Sequence, residues 1–187
     1  MTDTANIQNG HDVITFLRAQ HEEIKALFEL VLESTGRQRE QWFTQLRRLL
    51  AVHETAEEEI VHPRARRALD GGDAVVSARL EEERAAKATL AELEKLDVDS
   101  AEFAAGFAAF HADVLAHAGA EETQEFPALT VELDENQLRN MRAAAKLAEA
   151  LAPTRPHPGV ESAAANLLVG PFAAMLDRAR DAISSSR

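Results

Sequence analysis

The sequence predicts an all-α protein, an antiparallel up-down-up-down four-helix bundle with additional C-terminal helices. The composition favours helix, because apolar residues make up 45% of the chain and only 8 of its 187 residues are glycine. Apolar residues recur in steps of three and four along four long segments, which is the spacing of a helix that buries one face. Short connections join these segments, so neighbouring helices are expected to run antiparallel.

The first two predicted helices each carry an inward face that includes polar residues. Helix one spans about residues 12–32, with Asp12 as its N-cap. Its inward positions are Ile14, Leu17, His21, Ile24, Phe28 and Val31. Helix two spans about residues 39–61 and is expected to end before Pro63, since proline does not continue a helix. Its inward positions are Trp42, Leu46, Leu49, His53, Glu57 and Ile60.

The third and fourth predicted helices show the same feature. Helix three spans about residues 74–96, after a loop marked by Gly71 and Gly72. Its inward positions are Val76, Leu80, Glu83, Lys87, Leu90 and Leu93. Helix four spans about residues 101–125. Its inward positions are Phe103, Phe107, Phe110, Val114, His117 and Glu121.

The composition divides the chain into three parts. Residues 1–11 are polar and are expected to form a flexible N-terminus, and residues 12–130 form the bundle. Residues 131–187 are predicted to be a C-terminal helical extension. Within it, a helix near residues 135–151 is followed by a proline-rich linker near residues 152–159 and by a further helical region.

Charge and cysteine content exclude several classes of function. The net charge of -12 argues against nucleic acid or an anionic membrane as a partner, because both attract clustered Lys and Arg. The chain has no cysteine, so thiol catalysis, disulfides and thiolate metal sites are excluded. The opening MTDTANIQNG has no apolar leader, and no stretch is long and apolar enough to span a bilayer. We therefore expect a cytoplasmic protein that is a monomer or a homodimer.

Six polar residues at inward positions are the candidate metal ligands: His21, His53, Glu57, Glu83, His117 and Glu121. Burying unpaired histidines and carboxylates in an apolar core is costly, and a metal ion compensates all of them together. In each of the two His-x-x-x-Glu pairs, both side chains lie on one face of the helix and can reach the same ion. Nitrogen and oxygen donors without thiolate favour iron, manganese or zinc, and two such pairs suit a two-metal site with bridging carboxylates.

Other interpretations of these residues remain open. Each inward histidine could be an ordinary hydrogen-bonded core residue of a metal-free structural bundle. Glu83 could instead face solvent in its acidic run, which would weaken a second metal site. His62 lies about half a turn from His53 and is predicted to be peripheral. The residues not expected to be ligands are His11, His111 and His157. The adjacent carboxylates are expected to be mostly solvated, with Glu54 or Glu58 as possible supports of the ligands; they are Glu54, Glu58 and Glu122.

Four segments carry a resemblance to a known family. They are QHEEI (20–24), HETAEEEIVHP (53–63), EEERAAK (81–87) and HAGAEETQEFP (117–127). In this order they resemble the hemerythrin-like, or HHE cation-binding, family, and the C-terminal part is similar to the tail of longer bacterial members. The resemblance implies two non-heme irons inside a four-helix bundle. The implied roles are His21 and His53 on one iron, His117 on the other, and Glu57 and Glu121 as bridges.

The resemblance departs from the family pattern in helix three. Family members usually have a histidine at the position of Glu83, and oxygen-carrying members place another at the position of Lys87. A protonated lysine cannot bind a metal, and an added carboxylate favours the ferric state. We therefore expect a protein that handles dioxygen, hydrogen peroxide or nitric oxide, with catalase-like or peroxidase-like removal of peroxide favoured over reversible oxygen carriage. A non-catalytic oxygen, nitric oxide or iron binding or sensing protein is the alternative.

Overall fold

The chain folds into helices joined by short turns. The computed structural model describes residues 12–151, and no β-strand occurs in that range, so the all-α fold class is confirmed. The helices are α1 (Val13–Glu33), α2 (Gly36–Ala56), α3 (His62–Ala68), α4 (Gly72–Leu93), α5 (Ala101–Ala120), α6 (Phe126–Glu132) and α7 (Glu135–Leu151), with π-helical segments at Glu57–Val61 and Glu121–Glu125. The predicted N-terminus, the proline-rich linker and the helical region after it lie outside the described residues.

Two helices of the bundle contain a π-helical segment and continue beyond a proline. The sequence predicts that helix two ends before Pro63, but the helix runs on through α3 to Ala68. The backbone N–H of His62 donates to the carbonyl of Glu57, five residues earlier, and a new α-helical register begins there. Pro63 then lies in the first turn of α3, where no amide hydrogen is needed. Pro127 has the same place in α6.

Local chemistry fixes where helices begin. Asp12 is the predicted N-cap of α1, and its Oδ1 accepts a hydrogen bond from the N–H of Thr15 at 2.8 Å. At the start of α4, a Cβ on Gly72 would lie 2.4 Å from the carbonyl oxygen of Arg66. Glycine is therefore required for α4 to begin this close to α3.

Two apolar clusters lie on either side of a polar layer. The aromatic cluster consists of Ile24, Leu27, Phe28, Val31, Phe43, Leu46, Leu50, Leu90, Leu93, Phe103, Phe107, Phe110 and Val114. The α7 cluster consists of Val13, Leu17, Ala56, Ile60, Val61, Ala65, Val76, Phe126, Leu129, Leu138, Met141, Ala144, Ala145 and Ala148. Along α1, His21 lies between Leu17 of one cluster and Ile24 of the other, so the polar layer separates the two.

Helix α7 packs on the bundle against α1, α2 and the first π-helical segment. Its inward residues, such as Leu138 and Met141, are buried in the α7 cluster. Part of the region predicted as an extension therefore contributes to the core next to the polar layer. None of the described helices combines the length and hydropathy that crossing a membrane requires.

Candidate metal centre

The polar layer contains all six residues that the sequence predicts as metal ligands. Glu57 and Glu121 are fully buried, and Glu83 is 2% exposed, so Glu83 does not face solvent. His21 and His53 are buried as well. His117 is the most accessible of the six. All four helices of the bundle thus supply polar side chains to a single layer within an apolar interior.

The two His-x-x-x-Glu pairs lie in segments of the same local structure. We call residues 53–63 the first His/Glu segment and residues 117–127 the second. In each, the glutamate is the first residue of a π-helical segment, and a proline follows that segment by two residues. Short π-helical insertions in α-helices occur frequently at functional sites.

The Nε2 atoms of three histidines lie close to the carboxylates of Glu57 and Glu121. His53 Nε2 is 3.1 Å from Glu57 Oε1. His21 Nε2 is 3.8 Å from the same Glu57 oxygen and 3.4 Å from Glu121 Oε2. His117 Nε2 is 3.6 Å from the other Glu121 oxygen, Oε1. Glu121 therefore lies between His21 and His117, with a different oxygen near each.

These donors form two adjoining sets, each of which could hold a metal ion. The first set has one donor atom each from His21, His53, Glu57 and Glu121. The second set has one donor atom each from Glu57, Glu83 and His117. Within each set the donor atoms lie within 4.8 Å of one another, and Glu57 belongs to both. Such spacing suits an ion about 2 Å from each donor.

Two of the histidines are held by carboxylates on the side away from the cluster. His21 Nδ1 is 2.8 Å from Glu122 Oε1, and His117 Nδ1 is 3.0 Å from Glu82 Oε2. A carboxylate accepts, so in each case the Nδ1–H donates and the Nε2 lone pair faces the cluster. Histidines that bind metals are usually held by a hydrogen bond of this kind, which fixes the tautomer and the ring orientation.

His53 is held by a neutral amide instead of a carboxylate. Its Nδ1 is 3.0 Å from Gln20 Oε1, so its Nε2 also faces the cluster. The amide nitrogen of Gln20 in turn donates to Glu149 of α7. Helix α7 is thus connected to His53 through one side chain.

Many inward atoms of the cluster have no hydrogen-bond partner among the described residues. They include both carboxylate oxygens of Glu57, both of Glu121, one of Glu83, and Nε2 of His21 and of His117. Leaving so many buried acceptors unsatisfied is costly, and they all face one layer. A cation coordinated by these atoms would satisfy them together, so the donor set fits a metal.

Without a metal the cluster must balance its own charge. Burial raises the pKa of Glu57 well above its usual value, and the facing Glu121 carboxylate adds to that. Burial would also raise the pKa of Glu121, but the facing histidines, His21 first, together outweigh it and lower this pKa to about 2. Burial disfavours charge on His21, yet the facing carboxylates of Glu121 and Glu57 together outweigh burial and raise its pKa to about 10. Metal binding would displace these protons.

A cavity of about 470 Å³ adjoins the cluster. Its lining includes polar residues of the cluster, such as His53, Glu83 and His117. It also includes apolar residues, such as Leu50 and Val114. The cavity has room for a small molecule in contact with the donor atoms.

Lys87 is held in ion pairs and is no metal donor. Its Nζ lies 3.3 Å from Glu54 Oε2, pairs closely with Glu58, and is 3.9 Å from Glu83 Oε2. Burial would lower the pKa of Lys87, but the Glu54 and Glu58 carboxylates outweigh this and raise it. Glu54 is itself buried, not solvated, and burial raises its pKa to about 8.

The prediction that His62 is peripheral is wrong. His62 is 2% exposed, and its Nε2 lies 2.6 Å from Glu83 Oε1. Its Nδ1 lies 3.2 Å from Oε2 of Glu125, which is also fully buried and which the sequence does not predict as a site residue. The error follows from the first π-helical segment, which turns less per residue than an α-helix and so brings position 62 round to the core. His111 is half-buried and stacks on Phe28, and His11 and His157 lie outside the described residues.

A helical bundle with buried histidines and carboxylates in one central layer defines a class, the helical metal-binding proteins. The family model described as "Hemerythrin HHE cation binding domain" matches residues 12–129. The chain belongs to this family, as the resemblance of the four segments indicates. Family membership and the buried cluster together make this a metal-binding helical protein.

A solved structure shares the fold. The crystal structure of a hemerythrin HHE cation-binding domain-containing protein from Mycobacterium kansasii is similar, with a TM-score of 0.65 and 20% sequence identity. The match covers 90% of this chain and 98% of that chain. No sequence among the curated proteins matches the chain.

Proposed function

We propose that the protein binds two non-heme iron ions in this cluster and uses them to remove hydrogen peroxide. The proposed ligands are His21, His53, Glu57, Glu83, His117 and Glu121. Zinc or manganese would fit the same nitrogen and oxygen donors, so iron is the part of the proposal that metal analysis decides first.

The observation that carries the proposal is the sharing of carboxylates between the two donor sets. Glu57 belongs to both sets. Glu121 has one oxygen 3.4 Å from His21 Nε2 and the other 3.6 Å from His117 Nε2. Carboxylates in these places support two ions held side by side, which is the arrangement that two-metal enzymes use.

The surroundings support peroxide as the substrate. A pair of iron ions, when bound, can accept two electrons from one peroxide molecule and donate two electrons to another. The net reaction is that two molecules of hydrogen peroxide give two of water and one of dioxygen, so no outside reductant is needed. Glu83 adds a buried carboxylate to one donor set, and such a ligand favours ferric iron over the ferrous form that carries oxygen reversibly.

Residues of the chain that are not proposed as ligands could carry protons. Glu54 lines the cavity next to the cluster, and burial raises its pKa to about 8. A carboxyl group whose pKa is raised toward neutral pH can give up and accept a proton, and Lys87, 3.3 Å away, stabilises the form that has released it. Two protons leave the peroxide molecule that becomes dioxygen, and two are taken up by the one that becomes water. This side chain can pass them on one at a time.

Oxygen evolution from hydrogen peroxide tests the proposal. The iron-loaded protein is compared with His117→Ala and with the matched control His111→Ala, which removes a histidine outside the cluster. We expect oxygen release well above that of free iron in the wild type and the control, and its loss in His117→Ala. Two irons per chain without turnover above free iron would overturn the peroxide activity but leave the two-metal site standing.

The apolar residues that line the cavity favour a second candidate function. Leu50 and Val114 present an apolar wall that suits dioxygen or nitric oxide, both of which are weakly polar. A reversible spectral change with either gas, without turnover, would mark a non-catalytic binding or sensing protein. A melting temperature that neither iron nor chelator changes would favour a structural bundle, since an ion that binds only the folded chain must stabilise it.

A further inference from the structure

We propose that His62, Glu121 and Glu125 form a further metal-binding position beside the proposed two-iron centre. The ion would be a divalent transition metal that accepts nitrogen and oxygen donors, such as Fe²⁺, Zn²⁺ or Mn²⁺. The inference rests in part on the proposed function, because Glu121 belongs to both sites.

The three donors are close together and buried. One ligand atom of each lies within 4.8 Å of the others. His62 is 2% exposed, and Glu121 and Glu125 are fully buried. They come from the ends of the two π-helical segments, where the chain departs from α-helical register: His62 follows the first segment, and Glu121 and Glu125 begin and end the second.

Both ring nitrogens of His62 face carboxylate oxygens. Its Nε2 lies 2.6 Å from Glu83 Oε1, so the Nε2–H donates to that carboxylate. Its Nδ1 lies 3.2 Å from Glu125 Oε2, and a metal ion would take the place of the proton that joins these two atoms in the metal-free chain. This is the arrangement of the other histidines of the layer, where one nitrogen is held by a neighbour and the other faces acidic donors.

Acceptor atoms around His62 are left without partners. They are both oxygens of Glu121 and Oε1 of Glu125. Arg79 Nε lies 4.0 Å from Glu125 Oε1, which is beyond hydrogen-bond distance. A protonated His62 could pair with Glu83 and with one oxygen of Glu125, but Oε1 of Glu125 would remain unsatisfied even with the two-iron centre filled, and both oxygens of Glu121 would remain so without it. A metal ion coordinated by Nδ1 and the two carboxylates removes that penalty, because buried charges are stable only when paired.

The corresponding position of the second His/Glu segment has no donor. Phe126 follows Glu121 by five residues, as His62 follows Glu57. Phe126 stacks on His21, with ring centroids 5.8 Å apart. The further metal position can therefore form only where the first His/Glu segment supplies His62. Removing His62 leaves the donor atoms of His21 and His53 in place.

Metal titration of the full-length, metal-free protein tests the inference. Zn²⁺ is added in competition with a chromophoric chelator, which reports both the number of sites and their affinities. The variants are His62→Ala and Glu125→Gln, with His111→Ala as the matched histidine control. We expect both variants to bind one ion fewer than the wild type and the control, or to hold that ion at least 100-fold more weakly. Glu125→Gln keeps the side-chain shape, so it tests the site even if His62→Ala fails to fold.

The outcomes separate this inference from the proposed function. If the wild type binds three ions and the variants two, the further position lies beside an intact two-metal centre. If the wild type binds two and the variants one, the second ion is held at this position, in place of the set formed by Glu57, Glu83 and His117. Equal numbers and affinities in wild type and variants would overturn the inference and leave the two-metal proposal intact. A wild type that binds no metal overturns both.

Discussion

The two His/Glu segments share a backbone design but differ in the residue that lies five positions after the glutamate. In both, a π-helical segment begins at the glutamate and a proline opens the next helix. The fifth residue is His62 in the first segment and Phe126 in the second. His62 contacts Glu83, whereas Phe126 stacks on His21. The same π-helical insertion therefore places a polar contact to Glu83 on one side of the layer. On the other side it places an apolar cover, the ring of Phe126 over His21.

The segments also differ in their access to solvent. Helix α7 packs against the first segment, and Glu149 of that helix holds Gln20, the partner of His53. In the second segment, Thr123 and Gln124 are exposed, and the side chain of His117 is 14% exposed, against 5% for His53. The two donor sets are therefore unequally accessible to solvent, and we expect the ion bound near His117 to exchange with metal in solution first.

Replacing Glu57 with alanine should have the largest effect of the variants that compare the two segments, and the effect is on the number of bound metal ions. Glu57 contributes to both donor sets of the proposed two-iron centre, so Glu57→Ala is expected to lose both of these ions and to keep at most the ion proposed at His62. The measurement is metal content by mass spectrometry after loading and desalting. Glu29→Ala, which removes an exposed carboxylate from α1, serves as the control and should bind as the wild type does.

Glu121→Ala shows whether the two glutamates are equivalent. Loss of both ions in both variants would make the two glutamates equal bridges. One retained ion in Glu121→Ala, with none in Glu57→Ala, would show that Glu57 alone joins the two donor sets. Two retained ions in Glu57→Ala would contradict the shared role of this residue.

Phe126→Ala should have the next largest effect, which is a loss of folding stability. Phe126 is 1% exposed, so truncation leaves a cavity beside His21 and should cost about 3–5 kcal/mol. The corresponding fall in melting temperature is roughly 10 °C for a chain of this size. Circular dichroism in the presence of a chelator measures it free of metal binding. Val131→Ala, at a side chain that is 82% exposed, should change little. A small loss in Phe126→Ala would mean that the apolar cover is not part of the rigid core.

The predictable part of the molecule is the part that follows α-helical periodicity. Steps of three and four residues locate four helices, and they identify His21 and Glu83 as inward because each interrupts an apolar stripe. The structure buries both residues in the polar layer. A polar residue at a core position is a strong signal, since its burial needs compensation. Its metal role remains a prediction that the experiments above test.

The π-helical segments could not be predicted from the same periodicity. The α-helical turn angle does not hold after Glu57, so a position derived from it places His62 outside the layer. Nor does periodicity show that Lys87 recruits Glu54 into a buried pair, because ion pairs between helices depend on how the helices align. One sequence signal was available. The shared order of histidine, glutamate and proline in the two segments aligns His62 with Phe126, an apolar residue expected to be buried.

The metal-free protein should lose stability as the pH rises from about 6.5 to 8.5. Burial raises the pKa of Glu83 to about 7 and of Glu54 to about 8. The facing carboxylates of Glu121 and Glu57 outweigh burial and raise the pKa of His21 to about 10. A group whose pKa is raised by folding stabilises the fold below its unfolded pKa, and this stabilisation is lost as pH passes the folded pKa. In this window the folded chain holds more protons than the unfolded chain, so stability falls with pH.

The metal-loaded protein should show the opposite trend, because metal binding requires ligands that have released their protons. Melting temperatures at several pH values, with chelator and with metal, measure both trends. We expect the metal-free value to fall by at least about 3 °C per pH unit, since one proton corresponds to about 1.4 kcal/mol per unit. If the melting temperatures with chelator and with metal changed with pH in parallel, this would contradict the view that the buried cluster holds protons in place of a metal.

Glu82→Ala should have the smallest effect on metal binding. It should increase the difference in metal affinity between the two segments. Glu82 holds Nδ1 of His117 from outside the cluster, and its side chain is 43% exposed, so water can partly replace it. We expect metal affinity at the His117 position to fall about tenfold, at the lower end for such partners, while the His53 position is unchanged. The control Glu81→Ala removes the neighbouring exposed carboxylate and should leave both affinities unchanged. If Glu82→Ala weakened both positions equally, the two ions would bind as one unit, and the difference between the segments would have no consequence for metal binding.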